Sequence, residues 1–404
     1  MEEIKKHTLT GTEASWYQGW NISQAQKEKY SILSKESYQA KLRAITEDRV
    51  GYYQKINIPR LNPNQLMPRL EKNGLKTLSL FSGGGGLDLG FDLAGFTHVA
   101  SYEILNFAAQ TLKLNRPKWK VFTESEGDVT NINWKSYKGQ VDIVHGGPPC
   151  QPFSTAGNQK GSEDARDMIP EFVRCVKEIN PQAFMAENVS GLTTKKFKEY
   201  LQITLFRPLE KEYSIKMFVL NAASFGVPQI RKRVIFVGIK NGGKFKNYEP
   251  PMELFDYSHL RGGKDSNSEL QLSQLLAKKK CMGVREALGL ENIGYDTIAP
   301  TIRCTLTGPR STTSILSSTS AQKVWRSIGI WPNGVQKDRE KASAFETKDG
   351  TFRLSVADCA LVQGFPEDWE FNGPVYKALG QIGNSVAPPM AYNLAKSIAQ
   401  TLLK

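Results

Sequence analysis

The chain has 404 residues, 40% of them hydrophobic and 23% charged, with a formal net charge of +13. That length and composition suffice for two or three domains with a full core, and the basic excess fits a polyanionic partner, nucleic acid first. No run of 18 apolar residues is present, the start Met1-Glu2-Glu3-Ile4-Lys5-Lys6 lacks a signal-peptide apolar stretch, and the five cysteines form no CxxC pair. These features argue against a membrane span, a disulfide framework and a zinc site, and for a reducing cytosol. The four histidines show no HxxxH or HxE pattern, so no metal is expected.

Residues 1–72 are polar and rich in Lys, Glu and Gln, and predict a weakly helical N-terminal extension. From Leu75 apolar runs alternate with amphipathic stretches. Thr77–Phe81 predicts a buried strand, followed by a Gly-rich turn and a helix over Leu87–Ala94. His98–Glu103 predicts a strand and Leu105–Leu114 a helix. Then come a strand at Val141–Val144, a helix at Met168–Ile179, a strand at Ala183–Ala186 and a helix at Lys196–Leu205. Two further strands, Ser214–Leu220 and Val234–Ile239, close the series. Such alternation predicts an α/β fold with a doubly wound, mostly parallel, Rossmann-like sheet. Residues 241–352 lose the alternation and predict a smaller, irregular domain. Order returns from Phe352, and Tyr392–Leu403 predicts a C-terminal helix.

The first strand-to-helix turn is Phe81-Ser82-Gly83-Gly84-Gly85-Gly86-Leu87. Four glycines there let the backbone approach a ligand closely. Glu103 ends the next strand, where a carboxylate can accept from both hydroxyls of a ribose. The pair predicts a nucleoside-bearing cofactor, and the contiguous glycines, unlike GxGxxG, disfavour NAD. Asp128, after the expected third strand, is placed either for an adenine amino group or as a plain turn Asp. Cys150 stands among Pro148, Pro149 and Pro152. Prolines stiffen the backbone, which suits a nucleophile that must be aimed; a buried thiol in a Pro-rich turn is the alternative. Glu187, at a strand end between Ala186 and Asn188-Val189, is expected to be desolvated and held protonated as a proton donor; a salt-bridged or capping Glu is the alternative. Strand alternation puts Gln229, Arg231 and Arg233 on one face and Lys232 on the other. That face calls for a ligand unless it is a solvated edge.

Together these segments resemble the C5-cytosine DNA methyltransferases over about residues 77–240 and 353–395. Leu80–Gly86 is similar to that family's S-adenosylmethionine loop, Pro148-Pro149-Cys150-Gln151 to its catalytic loop, Glu187-Asn188-Val189 to its ENV motif and Gln229–Arg233 to its QxRxR motif. Arg353-Leu354-Ser355 through Gln363-Gly364-Phe365-Pro366 is similar to the segment supporting the recognition domain. Gly380–Pro388 is similar to the last motif. The resemblance implies one catalytic domain from 73–240 and 353–404, a target-recognition domain at 241–352, and an extension outside the shared pattern.

It also implies methyl transfer from S-adenosylmethionine to C5 of a cytosine flipped out of double-stranded DNA, in a sequence-specific restriction–modification enzyme. Cys150 would attack C6, protonated Glu187 would hold N3, and Arg231 or Arg233 would hold the O2 side. Phe81, Gly83, Gly85, Leu87, Glu103, Asp128, Pro149, Asn384, Ser385 and Val386 would bind the cofactor. Gln151, Ser154 and Gln229 would meet DNA, and Arg303 and Arg310 in the polar stretch Thr301–Thr313 would read bases. Trp325 and Trp331 are expected in the core. The implied protein is a cytoplasmic, bacterial, nucleoid-associated monomer, with a cognate restriction endonuclease encoded alongside but not bound. Two alternatives stand beside it. The tRNA-modifying branch carries a CFT motif that residues 241–350 lack, and a non-catalytic DNA-binding protein sits poorly with the joint presence of Cys150, Glu187, Arg231 and Arg233.

Overall fold

A computed structural model describes Glu28 and residues 54–149, 167–242, 248–260, 278–302, 319–344 and 351–403. Seven strands form the main sheet: β1 (Lys76–Leu80), β2 (Thr97–Glu103), β3 (Val121–Thr123), β4 (Ile143–Gly146), β5 (Ala183–Val189), β6 (Tyr213–Asn221) and β7 (Lys232–Lys240). Their order is β3-β2-β1-β4-β5-β7-β6. The first five strands are parallel, and β7 runs antiparallel between β5 and β6. The order reverses between β1 and β4, so the crevice for a ligand opens at their carboxyl ends.

Side-chain alternation divides the core between the two faces of the sheet. Ile143, Met185, Ile235 and Val237 pack on one face with helices α1 (Gly86–Leu93) and α2 (Asn106–Asn115). Val144, Phe184, Val234 and Phe236 pack on the other with α3 (Ile169–Ile179). Burial on both faces explains why these strands read as near-continuous apolar runs. Beyond α4 (Thr319–Ser327) lie α5 (Val356–Val362), α6 (Val375–Asn384) and α7 (Pro388–Leu402). A Cβ on Gly90 of α1 would come within 2.6 Å of Ala391 Cβ on α7. Only glycine lets these helices meet so closely, and their contact joins both halves of the chain in one body.

The packing refines several expectations. Residues 54–72 are part of the fold rather than an appendage. Leu61 and Met67 are buried in the main core, the Arg60 and Leu61 N–H groups donate to Ala287 O at 3.0 and 3.1 Å, and Asn57 Nδ2 donates to Leu288 O and Asp358 Oδ1, both at 3.0 Å. This strap buries only isolated apolar side chains and is otherwise held by backbone and amide bonds, which leave no apolar periodicity to read. Within 241–352, Val284, Ala287, Ala299, Ile302, Trp325 and Ile330 share that same core, so much of the region is continuous with the body. The helix expected over Lys196–Leu205 is present but irregular, as contiguous 3-10 (Lys195–Phe197), α (Lys198–Leu201), π (Gln202–Phe206) and α (Arg207–Leu209) turns. Pro208 has no N–H to donate, and the ladder widens to a π turn ahead of it before the α turn resumes over Arg207–Leu209. Trp325 is fully buried, whereas Trp331 is partly exposed beneath the Arg326 guanidinium. No described helix is long and apolar enough to cross a membrane.

Candidate active site

The carboxyl ends of β1, β2, β4 and β5 open onto a cavity of about 250 Å³. Its first wall is the turn after β1. Phe81 and Gly83 both have φ of 55°, in the left-handed region. That conformation is free for glycine but costs Phe81 on the order of 1–2 kcal/mol, and strain of this kind collects at ligand sites. Phe81, Gly83 and Leu87 line the cavity. Gly85 does not: a Cβ there would meet Leu112 and Trp369, on the side away from the cavity. Gly86 takes its place in the lining, and a Cβ on it would fall 2.1 Å from Val386 O. This glycine lets Asn384, Ser385 and Val386 close over the loop as another wall.

Glu103 stands at the end of β2. Its Oε2 accepts from Gly83 N–H at 2.7 Å and its Oε1 from Leu105 N–H at 2.8 Å. Burial pushes this carboxyl up to about 7, against the two backbone bonds that favour its ionised form. Each oxygen retains a lone pair for a further donor. Asp128 lies beyond β3. It caps a 3-10 turn by accepting from Thr130 N–H at 3.0 Å, and it lines the cavity.

The opposite wall is Gly147, Pro148, Pro149, Glu187, Asn188 and Arg233. Asn188 Nδ2 donates to Pro148 O at 3.2 Å, which fixes the chain leading to the proline pair. A Cβ on Gly147 would stand 2.9 Å from Glu187 Oε2, so glycine clears room for that carboxylate. Sequence reasoning passed over Gly147; the doubled glycine before the doubled proline was its signal. Glu187 Oε1 pairs with Arg233 Nε at 2.7 Å, both side chains about nine-tenths buried. Burial raises the Glu187 carboxyl while the Arg233 and Arg231 charges pull it down, and burial prevails. The site thus offers an acid that holds its proton more readily than a free Glu, beside a fixed cation.

Arg231 and Gln229 sit elsewhere than expected. Arg231 is fully buried and outside the cavity lining; it donates to Gly383 O at 2.6 Å and Ile302 O at 3.3 Å. It braces the last motif, and its charge acts on Glu187. Gln229 is also fully buried, donating to Gln363 Oε1 at 2.8 Å and accepting from Ile302 N–H at 3.1 Å. Both ends of its amide are engaged inside the protein, so it presents nothing to DNA. Lys232 is exposed on the opposite face, as alternation predicts. Cys150, Gln151, Ser154, Arg303 and Arg310 lie outside the described residues.

A mostly parallel seven-stranded sheet, with a glycine loop and a strand-end acid on one cavity wall and a buried Glu–Arg pair on the other, is a Rossmann-like methyltransferase fold. The family model for C-5 cytosine-specific DNA methylases matches residues 75–400, and the chain belongs to that family. It is 35% identical over 335 residues to the Type II methyltransferase M.NgoMIV of Neisseria gonorrhoeae, covering 81% of this chain and 98% of that one. It is 30% identical over 380 residues to M.Eco47II of Escherichia coli, covering 83% and 81%. Among solved structures, a prophage-encoded E. coli DNA modification methyltransferase shares the fold at a TM-score of 0.52 and 24% identity, covering 82% of this chain and all of that one. The family's reaction, methylation of cytosine C5 in DNA, needs a methyl donor.

Proposed function

We propose that the protein is a sequence-specific restriction–modification methyltransferase that uses S-adenosylmethionine and forms a covalent adduct between Cys150 and C6 of a flipped cytosine. The observation that carries this reading is the buried Glu187–Arg233 pair, one cavity away from Glu103 and the glycine loop. The relatives' designation as Type II methyltransferases supports the restriction–modification setting.

S-adenosylmethionine suits the residues present: Glu103 for the ribose hydroxyls, Asp128 for the adenine amino group, and the glycine loop with Ser385 and Val386 around the remainder. When bound, it supplies an electrophilic methyl group. The Cys150 thiolate adds to C6, and the displaced ring electrons reach N3, where the proton held by Glu187 meets them. Arg233 keeps Glu187 oriented and favours the carboxylate left behind. C5 becomes the nucleophile of the resulting enamine. Once C5 carries the methyl group, its proton passes to water, the S–C6 bond breaks to restore the thiolate, and N3 returns its proton to Glu187. A stacked cytosine exposes neither face of C6, so the base is flipped out, at a cost of a few kcal/mol. The +13 charge offsets that cost through phosphate contacts. Target recognition is assigned to residues within 241–352, with Arg303 and Arg310 as base readers.

Expression followed by bisulfite sequencing of host DNA tests the reading. The expected result is C5-methylcytosine at one short motif, lost in Cys150→Ser while DNA binding persists. No methylated cytosine above background from a folded protein that binds the donor would overturn it.

A further inference from the structure

Beneath the glycine loop lies a buried polar cluster that the chemistry above does not use. Asp88, in the first turn of α1, is 2% exposed, and no Lys or Arg among the described residues pairs with it. Its Oδ1 accepts from Ser101 Oγ at 2.7 Å and from Ser82 Oγ at 3.2 Å. Ser82 Oγ also lies 2.8 Å from Ser79 Oγ on β1. Ser82 lines the cavity, whereas Asp88 and Ser101 do not. Ser101 sits on β2, two residues before Glu103. One carboxylate oxygen therefore ties the turn that supplies Gly83 N–H to the strand that supplies Glu103, and Glu103 and Gly83 are themselves bonded.

The cluster is costly to keep. Among the described residues Asp88 Oδ2 meets no hydrogen-bond partner, and neither does either ring nitrogen of His145, which is paired with Ser79 across the sheet and stacked on Phe91 of α1. A buried carboxylate without a cation carries a desolvation penalty that an apolar residue at this position would avoid. The dipole of α1, in whose first turn Asp88 stands, offsets part of that penalty, and the acceptor oxygen joining two segments is what the residue supplies in return.

We propose that Asp88 is a positioning residue for the methyl-donor pocket, acting through Ser82 on the glycine loop and through Ser101 on the strand that carries Glu103. This rests on the assignment of the cavity to S-adenosylmethionine. The test is equilibrium titration of the full chain with S-adenosylhomocysteine. Asp88→Ala raises the Kd about tenfold, while DNA affinity measured without cofactor stays at the wild-type value. Asp88→Asn, which keeps an acceptor oxygen for both serines, restores most of the affinity. The double variant Ser82→Ala/Asp88→Ala loses less than the two single losses combined, because the residues share one link. A donor Kd within about twofold of wild type in Asp88→Ala, or full additivity in the double variant, overturns the proposal. If Asp88→Ala fails to fold, Ser101→Ala replaces it: Ser101 is off the cavity, so weakened binding supports the relay and unchanged binding overturns it. If wild-type protein does not bind, the cofactor reading fails and the relay falls with it; a wild type that binds alongside an unaffected Asp88→Ala refutes the relay alone.

Discussion

Raising the pH through neutrality should strengthen methyl-donor binding and weaken the fold, and Glu103 accounts for both. Its carboxyl is pushed up to about 7 from an ordinary 4.5. Below 4.5 it is protonated in folded and unfolded chains alike. Between 4.5 and 7 the folded chain keeps a proton that the unfolded chain has released, so stability falls as pH rises across that window. Two and a half pH units at about 1.36 kcal/mol each amount to about 3 kcal/mol. Glu187, also raised by burial, acts in the same direction. Donor binding follows the opposite course, because ribose hydroxyls donate to the ionised carboxylate. The ionised fraction rises from about a tenth at pH 6 to about nine-tenths at pH 8, so the Kd for S-adenosylhomocysteine should fall about ninefold. Calorimetric titration at pH 6, 7 and 8 measures this directly. Glu103→Gln should bind weakly with a flat profile, since its amide NH2 would face the N–H of Gly83 or Leu105. A pH-independent wild-type Kd, or an equal slope in Glu103→Gln, would refute the reasoning.

The remaining predictions concern single contacts. Glu187→Gln should lower turnover about 10²–10⁴-fold by removing the proton held for N3, with DNA affinity retained; single-turnover methylation reads it. Gly86→Ala drives a Cβ to 2.1 Å from Val386 O and should cost about 1–3 kcal/mol in urea unfolding while weakening donor binding. Asn57→Ala removes two buried hydrogen bonds, one of them to the Asp358 carboxylate, and should lower unfolding free energy by about 2–3 kcal/mol with no change in donor Kd. An unshifted urea midpoint would show that the strap carries no stability.

Much of this protein is local, and local features are legible in a sequence. Strand and helix periods located the sheet, because burying both faces of a parallel sheet demands apolar runs of that length. The glycine run, the strand-end acid Glu103 and the ENV triplet each depend on a few neighbouring residues, and each lies at the cavity. Alternation correctly separated Gln229, Arg231 and Arg233 from Lys232. It had no means of telling that the face would be partly roofed by residues from far along the chain, so that Gln229 and Arg231 bond to Ile302, Gln363 and Gly383 while Arg233 pairs with Glu187 at the cavity. The choice between Gly85 and Gly86 turned on Trp369 and Val386, some 280 to 300 residues away. The strap at 54–72 is invisible to periodicity because it buries only isolated apolar side chains and is otherwise held by backbone and amide groups. The sequence by itself therefore determined which chemical groups stand at the strand ends, since chain direction and turn conformation are set by neighbours. Only the tertiary structure decided which of those groups meet the cavity and which brace it, since that depends on packing between segments far apart in the chain.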